Sequence, residues 1–292
     1  MSALTDKVVL SCALSGVAAN RAQCPGIPYT PDEYGEEARR AAEAGASIVH
    51  IHARKPDGTP SQDVEDYAAI KAAILKRVPS MIINFSTGAI GFTKEQRIAS
   101  VPACLPDIAA LNMGTMNYAK YSEKRKGFVF KFVFENPFDD IIFYLKTMME
   151  HGVRPEMECF DTGHVGSIHP LIDMGVVKPP YEVSFILGVD GGVPATTQNI
   201  IAMMGNLPKD ASWQVIGISR EQWRLAAAAL TLGGNIRVGF EDNFYLPEGT
   251  MAKSNGELCA RAARLTRDVG REVASIDEAR ALLSLPLKAR AA

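Results

Sequence analysis

Along its whole length the chain alternates between short apolar runs and longer segments in which apolar residues recur at helical spacing. Continuous apolar runs bounded by turn residues read as fully buried strands, since a strand covered on both faces has no solvent side to alternate against. Eight such runs occur, at 8–14, 47–53, 81–85, 108–111, 156–160, 181–187, 213–218 and 235–240. Between them the amphipathic period predicts helices over 31–44, 64–77, 137–151, 196–204 and 221–232, with 255–272 and 277–283 closing the chain. Thr30-Pro31-Asp32-Glu33 combines an N-cap hydroxyl, a proline at the first helical position and a glutamate able to reach back, and Ser275-Ile-Asp-Glu278 repeats the box. Gly45 and Gly152 stand where helices must stop.

Eight strand–helix units predict an α/β fold, a (β/α)8 TIM barrel forming one domain over 1–292, with a short insertion after strand 4 and a C-terminal helix. An open, doubly wound sheet is the rival, because the same alternation builds it. The insertion covers 118–135: Lys124, Arg125 and Lys126 precede a regular alternation of Phe128, Phe130, Phe132 and Phe134, which reads as a strand or hairpin. A face that packs on the body or on another subunit is one reading of it; phosphate contact by the basic cluster is the other.

Composition then narrows the partners. Thirty-one Lys and Arg against 33 Asp and Glu give a net charge of −2, so no overall positive field exists to hold nucleic acid or an anionic membrane. Five cysteines, Cys12, Cys24, Cys104, Cys159 and Cys259, are odd in number and show no Cys-x-x-Cys spacing. That argues against a disulfide scaffold and a thiolate zinc site, and for reduced thiols in the cytoplasm. The first ten residues carry one lysine and no apolar stretch with a small-residue cleavage site, and no run of about 18 apolar residues follows; neither secretion nor membrane insertion is expected.

Candidate chemistry gathers at the predicted strand ends, where barrels place their active sites. His50 and His52 lie two apart at the end of the second strand, so both imidazoles share a face and can converge on one cation; two hydrogen-bonded core histidines are the plainer alternative. Glu241 and Asp242 end the eighth strand, with Arg237 lower on it. In a closed barrel strand eight lies against strand one, next to strand two, so Glu241 can join the histidines. Two His and one carboxylate leave an open position, as in catalytic zinc sites; an ordinary ion-pair cluster is the alternative. Ser86, Thr87 and Gly88 after strand three, and Gly114, Thr115 and Asn117 after strand four, offer hydroxyls and exposed N–H groups suited to a carboxylate or thioester carbonyl. Glu156 and Glu158 share a face of strand five and, if inward, need a partner such as Arg237. The glycine loop Gly191-Gly192 after strand six reads as a structural turn, with approach to a phosphate or pantetheine chain the alternative, and His164 and His169 after strand five read as loop or helix-cap residues, with metal ligation the alternative.

Glu43-Ala-Gly-Ala-x-x-x-His50-x-His52-x-Arg54 and Gly233-Gly-x-x-Arg237-Val-Gly-x-Glu241-Asp242-Asn243 are the most specific marks of a resemblance to the β-keto acid cleavage enzymes. It extends from the first strand to the final Ala279-Arg280-x-Leu-Leu helix. The resemblance implies a zinc-dependent catalytic TIM barrel, a homo-oligomer, that exchanges acyl groups between a β-keto acid and acetyl-CoA and releases acetoacetate and a new acyl-CoA. It implies His50, His52 and Glu241 as zinc ligands, Asp242 as base, Arg237 with Glu156 or Glu158 as its support, and Ser86 and Thr115 as substrate contacts, with Gly88 and Asn117 beside them. Members that cleave 3-keto-5-aminohexanoate carry an acid where this chain has Ala18, so an amino-substituted substrate is not expected. A zinc-dependent barrel hydrolase or aldolase acting without coenzyme A is the competing enzyme reading, and a zinc-stabilised or small-acid-binding protein the non-enzymatic one.

Overall fold

The computed structural model describes residues 6–286; the first five residues and the last six of the expected 1–292 domain lie outside them. Eight parallel strands close a barrel: β1 (Leu10–Ala13), β2 (Ile48–Ile51), β3 (Ile82–Ser86), β4 (Ile108–Asn112), β5 (Arg154–Cys159), β6 (Glu182–Leu187), β7 (Ser212–Gly217) and β8 (Asn235–Val238). Each pairs with the next, and β8 returns to β1 with Arg237 opposite Ser11, which excludes the open sheet. The pleat divides the strands into two sets of residues. Outward ones such as Val49, Ile51, Ile83, Phe85, Val183 and Phe185 join the core under the helices. The inward set is largely polar, with Asn84, Ser86, Asn112, Glu156, Glu158, Ser184 and Arg237 all buried.

That polar interior is closed from below by apolar side chains. Val9, Ile48, Ile82 and Ile108 meet Ala279, Leu283 and Leu285 from the C-terminal helix Ile276–Leu282 and its exit. Arg280 of this helix is itself buried and donates to Asp107 and to the carbonyls of Ser80, Met81 and Pro286, tying the floor to the strand ends above it.

Both expected capping boxes form, on the helices Pro31–Glu43 and Ile276–Leu282. Gly45 and Gly152 adopt positive φ at helix ends, as a stop requires. Several boundaries differ from the sequence reading. The run at 8–14 is divided: Lys7–Val8 pairs with Glu272–Val273 outside the barrel, and β1 begins only at Leu10. The helix expected over 255–272 stops at Asp268, ahead of Gly270 at φ 81°. Four short helices, Lys94–Ile98 and Ser100–Cys104 after β3, and Thr162–Gly166 and Ile168–Asp173 after β5, were not anticipated. Pro102, Gly166 and Pro170 interrupt them, leaving too few turns for a helical period to register.

The insertion is an antiparallel hairpin of Met116–Ser122 and Gly127–Phe134, somewhat longer than the 118–135 expected at its start. All five cysteines are free thiols. Among the described residues no helix is long and apolar enough to cross a membrane.

Candidate active site

The carboxyl ends of β2, β5 and β8 bring His50, His52, Glu158, Arg237, Glu241 and Asp242 into one cluster. Its centre is Arg237, 3% exposed, whose guanidinium serves three acids at once. Nε and Nη2 donate in bidentate fashion to Asp242 at 3.0 and 2.8 Å, Nη1 donates to Glu158 at 3.1 Å, and Nη2 also reaches Glu241 at 3.1 Å. Two acids from the same short segment can reach it because the chain turns sharply after β8. Gly239 adopts φ 137°, and a Cβ there would stand 2.2 Å from the Ala13 carbonyl oxygen. That close approach admits only glycine, and it lets the N–H groups of Asp242 and Asn243 both donate back to the Gly239 carbonyl.

Glu241 faces the two imidazoles from its other side. His52 Nε2 lies 3.5 Å from Glu241 Oε1 and His50 Nε2 lies 3.7 Å from Oε2. One ligand atom from each of the three residues lies within 4.8 Å of the others, a spread that small side-chain rotations close onto one centre with bonds of about 2 Å. Both ring nitrogens of His50, Nδ1 of His52 and Oε2 of Glu241 are buried without a hydrogen-bond partner. Buried polar atoms left in this way are costly, and a divalent cation satisfies lone pairs from all three residues together. Burial pushes the His50 pKa well below its usual value, which keeps the imidazole neutral as a ligand must be. Burial also opposes ionisation of Glu241, but His52, Arg237 and His50 together hold its carboxyl well below the usual range. These residues fit a zinc ion.

The other carboxyls differ in kind. Burial raises Asp242 to about 6 against the pull of Arg237, and raises Glu158 to about 8, where Arg237 opposes and the neighbouring acids reinforce the shift. Glu156 does not reach Arg237. It sits lower in the barrel, where Asn84, Ser184 and Gln214 donate to it. The two glutamates share a pleat face yet occupy different levels, so Glu158 is the strand-five partner of Arg237.

Ser86 is buried and its Oγ accepts from the Gly88 N–H at 3.1 Å; Asn112 Nδ2 lies 3.2 Å from where a Gly88 Cβ would stand. Thr115 is exposed, and its Oγ1 accepts from the Asn136 N–H at 2.8 Å, fastening the base of the hairpin. Asn117 is exposed on the hairpin, with its carbonyl against Gly191, so the glycine loop serves as the hairpin's seat. Neither Thr115 nor Asn117 joins the ionic cluster directly.

Arg54 belongs to the His-x-His-x-Arg spacing, but its role was not evident there. It is buried and donates to the carbonyls of Ser15, Gly16, Ala19 and Gly58, holding the loop after β1. Gly16 of that loop, at φ 55°, lies so close to Glu241 that a Cβ would stand 2.7 Å from Glu241 Cγ. In the same loop, Ser15 Oγ donates to the His52 carbonyl at 3.0 Å, and the Tyr34 hydroxyl donates to it at 2.6 Å. Arg54 thus steadies the backing of two of the three converging residues.

A closed parallel barrel with imidazoles, acids and a guanidinium converging at its carboxyl-end mouth is the architecture of a barrel enzyme. The chain belongs to the β-keto acid cleavage enzyme family, whose model matches residues 7–285. It is 38% identical to a 3-keto-5-aminohexanoate cleavage enzyme of Fusobacterium nucleatum over 97% of this chain and 99% of that protein. It is 31% identical to a 3-oxoadipate:acetyl-CoA acetyltransferase of Cupriavidus necator over 97% and 96%. Among solved structures, apo ObcA superposes with a TM-score of 0.73 at 20% identity, covering 89% of this chain and 66% of that one. The chain therefore spans just under two thirds of ObcA, and that likeness concerns the fold.

Arg54→Met keeps most of the side-chain bulk but leaves the carbonyls of Ser15, Gly16 and Ala19 without a donor. It is expected to lower the unfolding free energy in urea by at least about 2 kcal/mol. A loss below about 0.5 kcal/mol would show that the loop does not depend on it.

Proposed function

We propose that this protein exchanges acyl groups between a β-keto acid with an uncharged tail and acetyl-CoA, releasing acetoacetate and a new acyl-CoA. The observation that carries the reading is the shared placement of Asp242 and Glu241 on Arg237, with Glu241 turned toward His50 and His52. His50, His52 and Glu241 would hold a zinc ion, whose Lewis acidity would acidify the carbon between the keto and carboxylate groups of the substrate.

Asp242 takes the proton from that carbon. Its pKa, raised to about 6 by burial, suits a base that must accept a proton near neutrality and return it later in the cycle. Arg237 fixes the orientation of the carboxylate, and Glu158 fixes Arg237 in turn. The Ser86 hydroxyl, held in place by the Gly88 N–H, donates to the substrate carboxylate so that the reacting proton faces Asp242. The electron pair released forms a bond to the thioester carbonyl carbon and expels the coenzyme A thiolate. The thiolate then adds to the original keto carbon, the older carbon–carbon bond breaks, and Asp242 returns its proton to acetoacetate.

Asp242→Asn keeps the shape and cannot accept the proton. It should retain bound zinc and lose turnover by at least about 10²-fold; near-native turnover would place the base elsewhere.

Tail preference follows from the loop after β1. Ala18 is exposed there, which makes the effect of the missing acid smaller than a fully buried site would give. The next acids along the chain are already engaged: Glu33 accepts from Arg21 and from the N–H groups of Tyr29 and Thr30, and Asp32 pairs with Arg77. Arg54 beneath the loop adds a positive charge that disfavours an ammonium. In kcat/KM, 3-oxohexanoate should exceed 3-keto-5-aminohexanoate by about tenfold, and Ala18→Glu should narrow the ratio. A native preference for the amino compound would refute the uncharged tail.

A further inference from the structure

The hairpin of Met116–Ser122 and Gly127–Phe134 rises from the mouth and is unlike the rest of the molecule in charge. It holds five basic residues, Lys120, Lys124, Arg125, Lys126 and Lys131, and one acid, Glu123; its net charge is +4 in a chain whose net charge is −2. All five basic residues are exposed, and among the described residues none forms an ion pair.

One face of the hairpin is an aromatic ladder. Cross-strand register places Met116 opposite Phe134, Tyr118 opposite Phe132 and Lys120 opposite Phe130. Tyr118 stacks on Phe132 and Phe130 with ring centres 5.3 and 6.3 Å apart, and meets Phe134 and Phe160 edge-on. The root of the ladder is continuous with the site. Phe134 Cζ lies 3.8 Å from where a Gly88 Cβ would stand, beside Ser86. Phe134 and Met116 also pack with Phe160, Ile186 and Ile216 at the ends of β5, β6 and β7. Toward the tip the rings become exposed, with Phe130 at 40% and Phe128 at 55%. Strands of seven and eight residues at about 3.3 Å per residue make an arm roughly 25 Å long. The arm is seated on the glycine loop, where Ala119 N–H and Tyr121 N–H donate to the carbonyl and the carboxylate of Asp190.

We propose that this arm docks the coenzyme A half of the acyl thioester, with pantetheine and adenine along the aromatic ladder and the phosphates on the basic tip. The inference rests on the acyl exchange proposed above. A long ligand whose reactive end is neutral and whose far end is polyanionic matches an arm that is apolar at the mouth and cationic at the tip. Aromatic rings accept a nucleobase by stacking, and unpaired lysines and arginine meet phosphates through charge-assisted hydrogen bonds.

The test compares the native enzyme with Lys120→Ala/Lys124→Ala/Arg125→Ala, a surface variant that leaves Lys126, at φ 48°, untouched, and with Phe130→Ala. Acetyl-CoA and acetyl-pantetheine, which lacks the nucleotide, serve as acyl donors. The triple variant should raise KM for acetyl-CoA at least about tenfold with kcat and the β-keto acid KM nearly unchanged. It should use acetyl-pantetheine as the native enzyme does, and lose the native rise of acetyl-CoA KM with ionic strength. Phe130→Ala should raise acetyl-CoA KM without altering that salt dependence. Native turnover with an unchanged KM in the triple variant would overturn the arm alone. An altered mass in light scattering with unchanged KM would do the same, making the hairpin a subunit contact. A native enzyme inert to both thioesters would overturn the acyl exchange and the arm together.

Discussion

One guanidinium holds the mouth of this barrel together. Arg237 is buried among Asp242, Glu158 and Glu241, and without it Asp242 and Glu158 would be buried with no ion-pair partner among the described residues, while Glu241 would keep only the two imidazoles. Losing one partner of such a cluster costs far more than an exposed ion pair is worth, on the order of 3–5 kcal/mol. The arrangement depends on barrel closure, because Arg237 is on β8 and reaches Glu158 on β5 across the interior. It depends equally on Gly239, whose backbone angle turns the chain so that residues four and five positions beyond Arg237 come back to it.

A polar interior of this kind constrains everything around it. Because the inward faces carry Asn84, Glu156, Glu158, Ser184, Gln214 and Arg237, apolar burial comes from the outward faces, the helices and an apolar floor. The interior is graded rather than uniform. At the lower level Glu156 is bound by neutral amides and a hydroxyl, which fixes the barrel wall. At the upper level three acids share a cation, and two of them, Glu158 and Asp242, sit near the pH at which protons move. On the β5 to β7 side the mouth is apolar, from Phe160, Ile186 and Ile216, and there the hairpin takes root.

Much of this was legible because the period of a strand is two and a barrel has a fixed neighbour order. His50 and His52 could be placed together, and Glu241 beside them, once eight strands were counted. The period also gave Glu156 and Glu158 the same face, but it says nothing of height along the barrel, so which of them meets Arg237 required coordinates. Thr115 was legible as a hydroxyl at a strand end, but the bond its Oγ1 accepts from the N–H of Asn136, twenty-one residues away, was not. Arg54 was visible only as part of a spacing, since its partners are backbone carbonyls, which leave no mark on side-chain patterns. The helices after β3 and β5 were hidden by the prolines and glycine that shorten them. Ala18 was legible as a missing acid, but its exposure depended on the path of the loop.

The acyl exchange proposed for this mouth joins carbon to carbon and does not use water as the nucleophile. Following the carbonyl carbon of acetyl-CoA decides it most directly. With carbon-13 at that position and unlabelled 3-oxohexanoate, the purified protein should yield acetoacetate labelled at its keto carbon and unlabelled butanoyl-CoA, seen by nuclear magnetic resonance. Label found in free acetate, with butanoate in place of butanoyl-CoA, would contradict the claim and make the protein a hydrolase.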